Sequence, residues 1–350
     1  ESHGMEKKRR IRKSSPLGSL SGWDLTSFVV KEFDDLRQEM FAMQLLEVCA
    51  EIFKREDSGQ WLKTYGIVSI SSSAGFIEGI NDARSLDDAK KVLMAASSRS
   101  AADDGEEGGG GGRERKVGRQ SGGQGPTILD ILSDGKPSPE ELNRRRINFA
   151  VSLATYSIIC YVFHIKDRHN GNIMIDRDGH IIHIDFGFFL SRRNTPGQIS
   201  FEKAPFKLSD DAFEAVGGPA KDEVYQLFEE TAIEAFLHIR RNAHILVRLI
   251  EITMRGFPTL PCFAGGEEVL NEFVDRLQLS ADATKRRFDG GKTMQWIREE
   301  KEKWSQSQSQ REKDRQQGEE YVKKLIGKSH GNWFTRKYDL YQYMTNGILM

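Results

Sequence analysis

The sequence predicts an α+β protein made of two packed units or one large bilobal domain. The length, 350 residues, exceeds the roughly 150 residues of a typical domain. The expected elements run strands, helix, loop, helix, hairpin, helices, with no internal repeat. The central hairpin carries a dense polar cluster at each end.

Taken in order, Thr26 to Lys31 is short, apolar and β-branched, as a strand would be, and delivers Lys31 just ahead of a helix. Asp34 to Phe53 places Phe41, Leu45, Val48 and Ile52 at helical spacing, with Leu36, Met40 and Met43 beside them, so a helix with a broad buried stripe is expected. From 95 to 125, glycine and charge replace nearly every core-forming residue, which reads as an unfolded surface insertion. Ser138-Pro139-Glu140-Glu141 has the pattern of a capping box and opens a helix holding the apolar run Phe149 to Ile165. That run is shorter than the ~20 residues of a membrane span and is interrupted by Ser152, Thr155 and Ser157, so a buried helix is expected.

Asn172 to Asp176 and His180 to Ile184 are β-rich runs joined through Asp178-Gly179, a hairpin signal. Beyond Asp210, apolar positions through Leu227, Ile233, Leu237, Leu246 and Leu249 repeat at helical spacing. The stretch 306–320 is a polar insertion, either loop or polar helix extension. Near the C-terminus, Trp333, Phe334, Tyr338, Tyr341 and Ile348 fall close to one helical face. Trp333 and the tyrosines suit a lipid headgroup boundary; the alternative is that Tyr338, Tyr341 and Met344 pack against the larger lobe.

With 51 Lys and Arg against 52 Asp and Glu, bulk electrostatic attraction to nucleic acid is excluded as the chain's purpose. Cys49, Cys160 and Cys262 lie more than 100 residues apart, in neither a zinc nor a disulfide pattern, which points to a reducing compartment. The basic start lacks the apolar region and cleavage site of a signal peptide.

The chemistry concentrates around the hairpin. Lys166-Asp167-Arg168-His169-Asn170-Gly171-Asn172 precedes it and Asp185-Phe186-Gly187 closes it. The turn folds the two ends side by side, so Asn172 and Asp185 are placed to share one cation. Carboxylate plus amide oxygen suits Mg²⁺, which takes its remaining ligands from water and substrate phosphates. Asp167 lies five residues before Asn172, the spacing of the protein kinase catalytic loop, but with the order Asp-Arg-His in place of His-Arg-Asp.

DRHNGN followed by HIDFG resembles the catalytic and metal-binding pair of the phosphatidylinositol 3- and 4-kinases and their protein kinase relatives. RRIRKSSPLGSLSGW, VVKEFDDLRQE, GFIEGINDA, FEKAPFKLS, LPCF and YQYMTNGI further resemble type III phosphatidylinositol 4-kinases of the beta kind. The resemblance covers nearly everything outside the two insertions. It implies a two-lobed kinase fold, with residues 1–80 as the N-lobe and 81–350 as the C-lobe. The implied reaction moves the ATP γ-phosphate to the 4-hydroxyl of phosphatidylinositol, with Mg²⁺ or Mn²⁺. A related protein kinase and a nucleotide-binding scaffold are the alternatives. The ending YMTNGI favours lipid over protein, and the presence of Lys31, Asp167, Asn172 and Asp185 disfavours a scaffold.

Carried onto this chain, the resemblance makes Ser14 and Ser15 part of a phosphate-covering loop between two strands. Lys31 would be the phosphate-binding lysine, held by Asp35 or Glu39. The Glu78 carbonyl and Ile80 amide would bond adenine, in a hinge loosened by Gly79 where the family commonly has proline. Asp167 and His169 would handle the hydroxyl proton and the transferring phosphoryl group, with the base undecided between them. Arg168 would be structural, paired with a carboxylate. Asn172 and Asp185 would hold the metal, and Arg192, Arg193 and Lys203 would meet the lipid phosphodiester. A cytoplasmic protein peripheral on Golgi or other internal membranes is implied. The chain looks like a fragment, with small GTPase and adaptor partners acting through upstream regions.

Overall fold

The computed structural model describes residues 3–103, 125–191, 203–279 and 307–350, together with 299 and 302. It opens with α1 (His3–Ser14), β1 (Phe28–Glu32), α2 (Arg37–Arg55), β2 (Ile67–Ser71) and β3 (Ala74–Glu78). The three strands form an antiparallel sheet in the order β1-β3-β2, with Lys31 opposite Gly75 and Phe28 opposite Glu78. α2 turns its stripe of Phe41, Leu45, Cys49 and Ile52 into the common core, all at most 2% exposed. At about 1.5–3 kcal/mol per buried large apolar side chain, that stripe is what fastens the small sheet to the rest of the molecule.

The chain continues through β4 (Ala83–Ser85), α3 (Leu86–Asp103), α4 (Ile128–Leu132), α5 (Pro139–Val162), β5 (Ile173–Asp176) and β6 (Ile181–His183). A second antiparallel sheet runs β4-β5-β6, so a short strand just after the first sheet joins the hairpin. Gly179 in the hairpin turn has φ +91°, and a Cβ there would lie 2.5 Å from the Arg145 carbonyl oxygen. Only glycine serves that turn while it rests against α5. α5 starts as its sequence predicts: the Ser138 side chain accepts from the Glu141 amide at 3.2 Å and Pro139 is the first helical residue. Its apolar run is buried, with Phe149, Tyr156, Ile158 and Ile159 at the centre of the core.

Next come α6 (Asp210–Ala215), α7 (Glu223–Arg241), α8 (Ala243–Gly256), a 3₁₀ turn at Pro261–Phe263, α9 (Glu268–Arg276), α10 (Gln308–Ser329) and α11 (Trp333–Asn346). α7 packs against α5, and α10 packs against α7. No helix among the described residues is long and apolar enough to cross a membrane.

One expectation needs correction, and one open choice is decided. The expected insertion at 95–125 begins too early, because α3 carries the chain on to Asp103; 104–124 lie outside the described residues. The polar stretch 306–320 is helical from Gln308. Asp314 is buried there between Arg240 (3.1 Å) and Arg241 (3.0 Å) of α7, and a Cβ on Gly318 would come within 2.6 Å of Leu237. A charged residue and a glycine make this contact, so apolar periodicity could not reveal it.

Replacing Asp314 with Ala removes the buried carboxylate that Arg240 and Arg241 share and should cost about 3 kcal/mol in urea unfolding. A second outcome concerns Glu234 of α7, whose carboxyl is drawn down to about 2 by His238 and Arg315, against the effect of its burial. The folded pKa lies below the ordinary 4.5, so its contribution is complete above that pH and is lost as pH falls toward about 2. Glu234→Gln should therefore be less acid-sensitive than the natural chain between pH 5 and 2, measured as urea midpoints.

Candidate active site

The hairpin brings its two polar ends together as the spacing predicts. The Ile184 amide donates to the Asn172 carbonyl at 3.1 Å, and the Lys166 amide donates to the Phe188 carbonyl at 2.9 Å. Between them lies Arg168, 3% exposed. Its guanidinium donates to the carbonyls of Lys166 (3.0 Å) and Ile184 (2.7 Å) and to that of Asp185, and it sits 5.6 Å from the centre of the Phe186 ring. Arg168 is thus structural as expected, but it binds three backbone carbonyls where a carboxylate was anticipated.

Asp167 has φ +65°. Its carbonyl accepts from Asn172 Nδ2 at 3.0 Å, and its Oδ1 accepts from the Tyr338 hydroxyl. His169 Nε2 is 3.9 Å from the same Oδ1. The Gly171 amide donates to His169 Nδ1 at 3.1 Å, so the neutral ring carries its hydrogen on Nε2. Burial holds the imidazole pKa below its usual 6.5; Asp167 opposes this, while Arg168 and Lys207 reinforce it. The ring is therefore neutral at pH 7. His183, in the HIDFG segment, has a different role: it is buried, stacked 4.5 Å from Tyr156 and within 3.4 Å of the Cys160 sulfur.

Asp185 is exposed, with φ +61° and Oδ1 accepting from the Gly187 amide at 3.2 Å. Asn172 is buried, and with its amide N–H on Asp167 its Oδ1 is the atom suited to a cation. Burial and the Asp185 carboxylate push the Glu39 carboxyl up, while Lys31 pulls it down. A cation on Asp185 would relieve that repulsion, so the donor set fits a hard divalent ion. Among the described residues, no group of three or more His, Cys, Asp or Glu could hold a metal. Two protein oxygens supplemented by substrate phosphates suit Mg²⁺ rather than zinc.

On the nucleotide side, Lys31 is exposed near the end of β1 and lies 3.7 Å from Asp34. Of its two expected partners, Asp35 instead pairs with Arg37 at 2.5 Å, whereas Glu39 feels the Lys31 charge. The segment at Ser14 and Ser15 departs from expectation: it follows helix α1, so it does not lie between two strands. Ser14 Oγ donates to the Ile11 carbonyl at 3.1 Å, and Ser15 Oγ accepts from Trp23 Nε1 at 3.1 Å. The Ser14 hydroxyl would have to exchange its carbonyl partner to donate to phosphate, whereas the Ser15 oxygen accepts in its bonds and could donate its hydrogen as it stands.

The segment expected to form the hinge is tied, not loose. The Gly79 amide donates to the Ser27 carbonyl at 2.7 Å, and a Cβ at Gly79 would lie 2.3 Å from Ser27 Oγ. Glu78 adds a second tie, its amide donating to the Gly66 carbonyl at 2.8 Å and its Oε2 accepting from the Gly66 amide at 2.7 Å. Ile80 follows, half-buried, on the way to β4.

Arg192 and Arg193 lie outside the described residues. Lys203 is exposed, with its ammonium 4.7 Å from the Phe334 ring centre. Three contributors were not anticipated. Gln38 of α2 donates to the Gly187 carbonyl at 2.5 Å and accepts from the Cys262 amide at 2.7 Å; its signal was a polar residue on the buried stripe, three before Phe41. Lys207 bridges Asn170 (3.1 Å) and Asp339 (2.7 Å). Tyr338 reaches Asp167 from α11.

A strand-borne lysine, a helix glutamate and a hairpin carrying Asp167, Asn172 and Asp185 define a two-lobed kinase domain. The family model described as phosphatidylinositol 3- and 4-kinase matches residues 25–260, so the chain belongs to that family. Phosphatidylinositol 4-kinase PIK1alpha of Candida albicans is 38% identical over 344 residues, 98% of this chain and 30% of that protein. Phosphatidylinositol 4-kinase PIK1 of Saccharomyces cerevisiae is 36% identical over 98% of this chain and 28% of its own length. Phosphatidylinositol 4-kinase beta of Danio rerio is 33% identical over 98% of this chain and 33% of its own length. The chain thus spans about a third or less of these relatives.

The tied Gly79 segment yields a direct check. Gly79→Ala should destabilise the protein by about 1–3 kcal/mol in urea unfolding, because the new methyl meets Ser27. Ser27→Gly in the same chain should recover part of that loss.

Proposed function

We propose that this chain transfers the γ-phosphate of ATP to the 4-hydroxyl of phosphatidylinositol, using Mg²⁺ or Mn²⁺, at the cytoplasmic surface of the Golgi or another internal membrane. The observation that carries the reading is the convergence of Asp167, His169, Asn172 and Asp185 at the two ends of one hairpin. The choice of the 4-hydroxyl and of lipid over protein rests on the family resemblance and on the names of the relatives.

In this reading Asn172 Oδ1 and the Asp185 carboxylate would hold the cation, whose charge would offset that of the ATP phosphates. Lys31 binds the same phosphates. The Glu78 carbonyl and Ile80 amide, on either side of the tied Gly79, receive adenine. His169 offers its Nε2 hydrogen to the transferring phosphoryl group, since its Nδ1 lone pair is taken by the Gly171 amide. Asp167 then accepts the proton of the inositol hydroxyl. Lys203, with Arg192 and Arg193, meets the lipid phosphodiester.

The membrane-facing surface includes one side of α11. Trp333 (61% exposed), Tyr341 (53%) and Met344 (76%) point outward, while Tyr338 (7%) turns to the catalytic loop. The expected single aromatic face is thereby divided between solvent and protein. The Leu349 carbonyl accepts from Asn170 Nδ2 at 2.9 Å, and the Met350 carbonyl accepts from Lys90 at 2.6 Å. Removing the last residues would therefore disturb the catalytic loop as well as any membrane contact.

Radiolabelled ATP supplied with phosphatidylinositol vesicles, or with a protein substrate, tests the reading. Label should enter phosphatidylinositol 4-phosphate; label in protein alone, or in the 3-phosphate, would refute it. Asp185→Ala should lower turnover roughly 100-fold or more with little change in melting temperature, because Arg168 grips the Asp185 carbonyl and not its carboxylate. Trp333→Ala with Met344→Asp should reduce turnover on vesicles and spare lipid-free ATP hydrolysis.

A further inference from the structure

Along α11, three polar side chains four residues apart form a row that ends on Asp167. Asn346 Nδ2 donates to Gln342 Oε1 at 2.5 Å, Gln342 Nε2 donates to the Tyr338 oxygen at 2.6 Å, and the Tyr338 hydroxyl donates to Asp167 Oδ1. The spacing sets all three on one helical face. Tyr338 is 7% exposed and Gln342 6%.

The direction of the row follows from its donors. A phenol has one hydrogen, and the Gln342 amide approaches the Tyr338 oxygen as a donor, so that hydrogen is left for the carboxylate. Each bond polarises the next toward Asp167. The carboxylate needs such a tether because Asp167 holds φ +65°, an arrangement that costs a non-glycine residue energy and is sustained by its surroundings. Asn172 holds the Asp167 backbone through its carbonyl, and Tyr338 holds its carboxylate.

We propose that Tyr338 is a positioning residue that aims the Asp167 carboxylate, with Gln342 and Asn346 orienting its hydroxyl. The C-terminal helix thereby sets the geometry of proton acceptance as well as offering an outer face to the membrane. This inference rests on the reading that Asp167 accepts the hydroxyl proton.

Tyr338→Phe removes one oxygen and keeps the buried ring. On phosphatidylinositol vesicles its kcat should fall roughly 10- to 100-fold, while the KM and Kd for ATP and the melting temperature stay near those of the natural chain. Gln342→Glu is nearly isosteric but replaces the donor with a carboxylate that competes for the phenol hydrogen. It should lower kcat in the same way, again without loss of ATP affinity. Tyr343→Phe, an exposed change on the same helix, should leave kcat unaltered. A Tyr338→Phe enzyme with kcat within twofold of the natural one would overturn the proposal, as would a parallel fall in ATP affinity and melting temperature.

A second readout does not need turnover. The carboxyl ¹³C resonance of Asp167, assigned with Asp167→Asn, should move in Tyr338→Phe and Gln342→Glu and stay in place in Tyr343→Phe; an unmoved resonance overturns the tether. If the natural chain phosphorylates no lipid, the functional reading fails, and this resonance alone decides whether Tyr338 holds Asp167.

Discussion

The site depends on one buried guanidinium. Arg168 connects the carbonyls of Lys166, Ile184 and Asp185, and so joins the loop 166–172 to the far end of the hairpin. Burying a charge without a counter-charge is costly, and here oriented carbonyl dipoles and the Phe186 ring offset the cost. The forked geometry matters, since a lysine offers a single point of attachment and could not hold all three carbonyls. Asp167 and Asp185 both have positive φ. Neither backbone would keep that conformation in isolation, and each is fixed by a neighbour, Asn172 for Asp167 and Arg168 for Asp185.

Further elements lock onto this joint. Gln38 brings α2 to the Gly187 carbonyl and to Cys262, so the helix that carries Glu39 is in register with the Asp-Phe-Gly turn. Lys207 and Leu349 both bind the Asn170 side chain, one at its oxygen and one at its nitrogen. The loop 166–172 therefore receives contacts from the hairpin, from the segment before α6 and from the chain beyond α11.

The sequence made much of this legible because the hairpin and its flanks have local signatures. Short β-rich runs, an Asp-Gly turn and the Asp167–Asn172 spacing are all read within about twenty residues, and the α2 stripe obeys simple helical spacing. The partners of Arg168 were not legible, because backbone carbonyls leave no mark in a sequence. Nor was Tyr338, which meets Asp167 across more than 170 residues. The first half of α10 was ambiguous because it meets α7 through Asp314, Arg315 and Gly318, which apolar periodicity overlooks. The setting of the Ser14 segment, at a helix end and not between two strands, was illegible for a related reason: small and hydroxyl residues suit either position equally well.

The Arg168 joint is tested most directly by the Mg²⁺-dependent part of ATP affinity, measured by calorimetry with and without the ion in the natural chain and in Arg168→Lys. If the guanidinium keeps Asn172 and Asp185 on one cation, the substitution should cut the gain in affinity from Mg²⁺ by roughly tenfold, about 1.4 kcal/mol, and leave metal-free ATP binding nearly unchanged. An Arg168→Lys protein whose gain from Mg²⁺ equals that of the natural chain would contradict it.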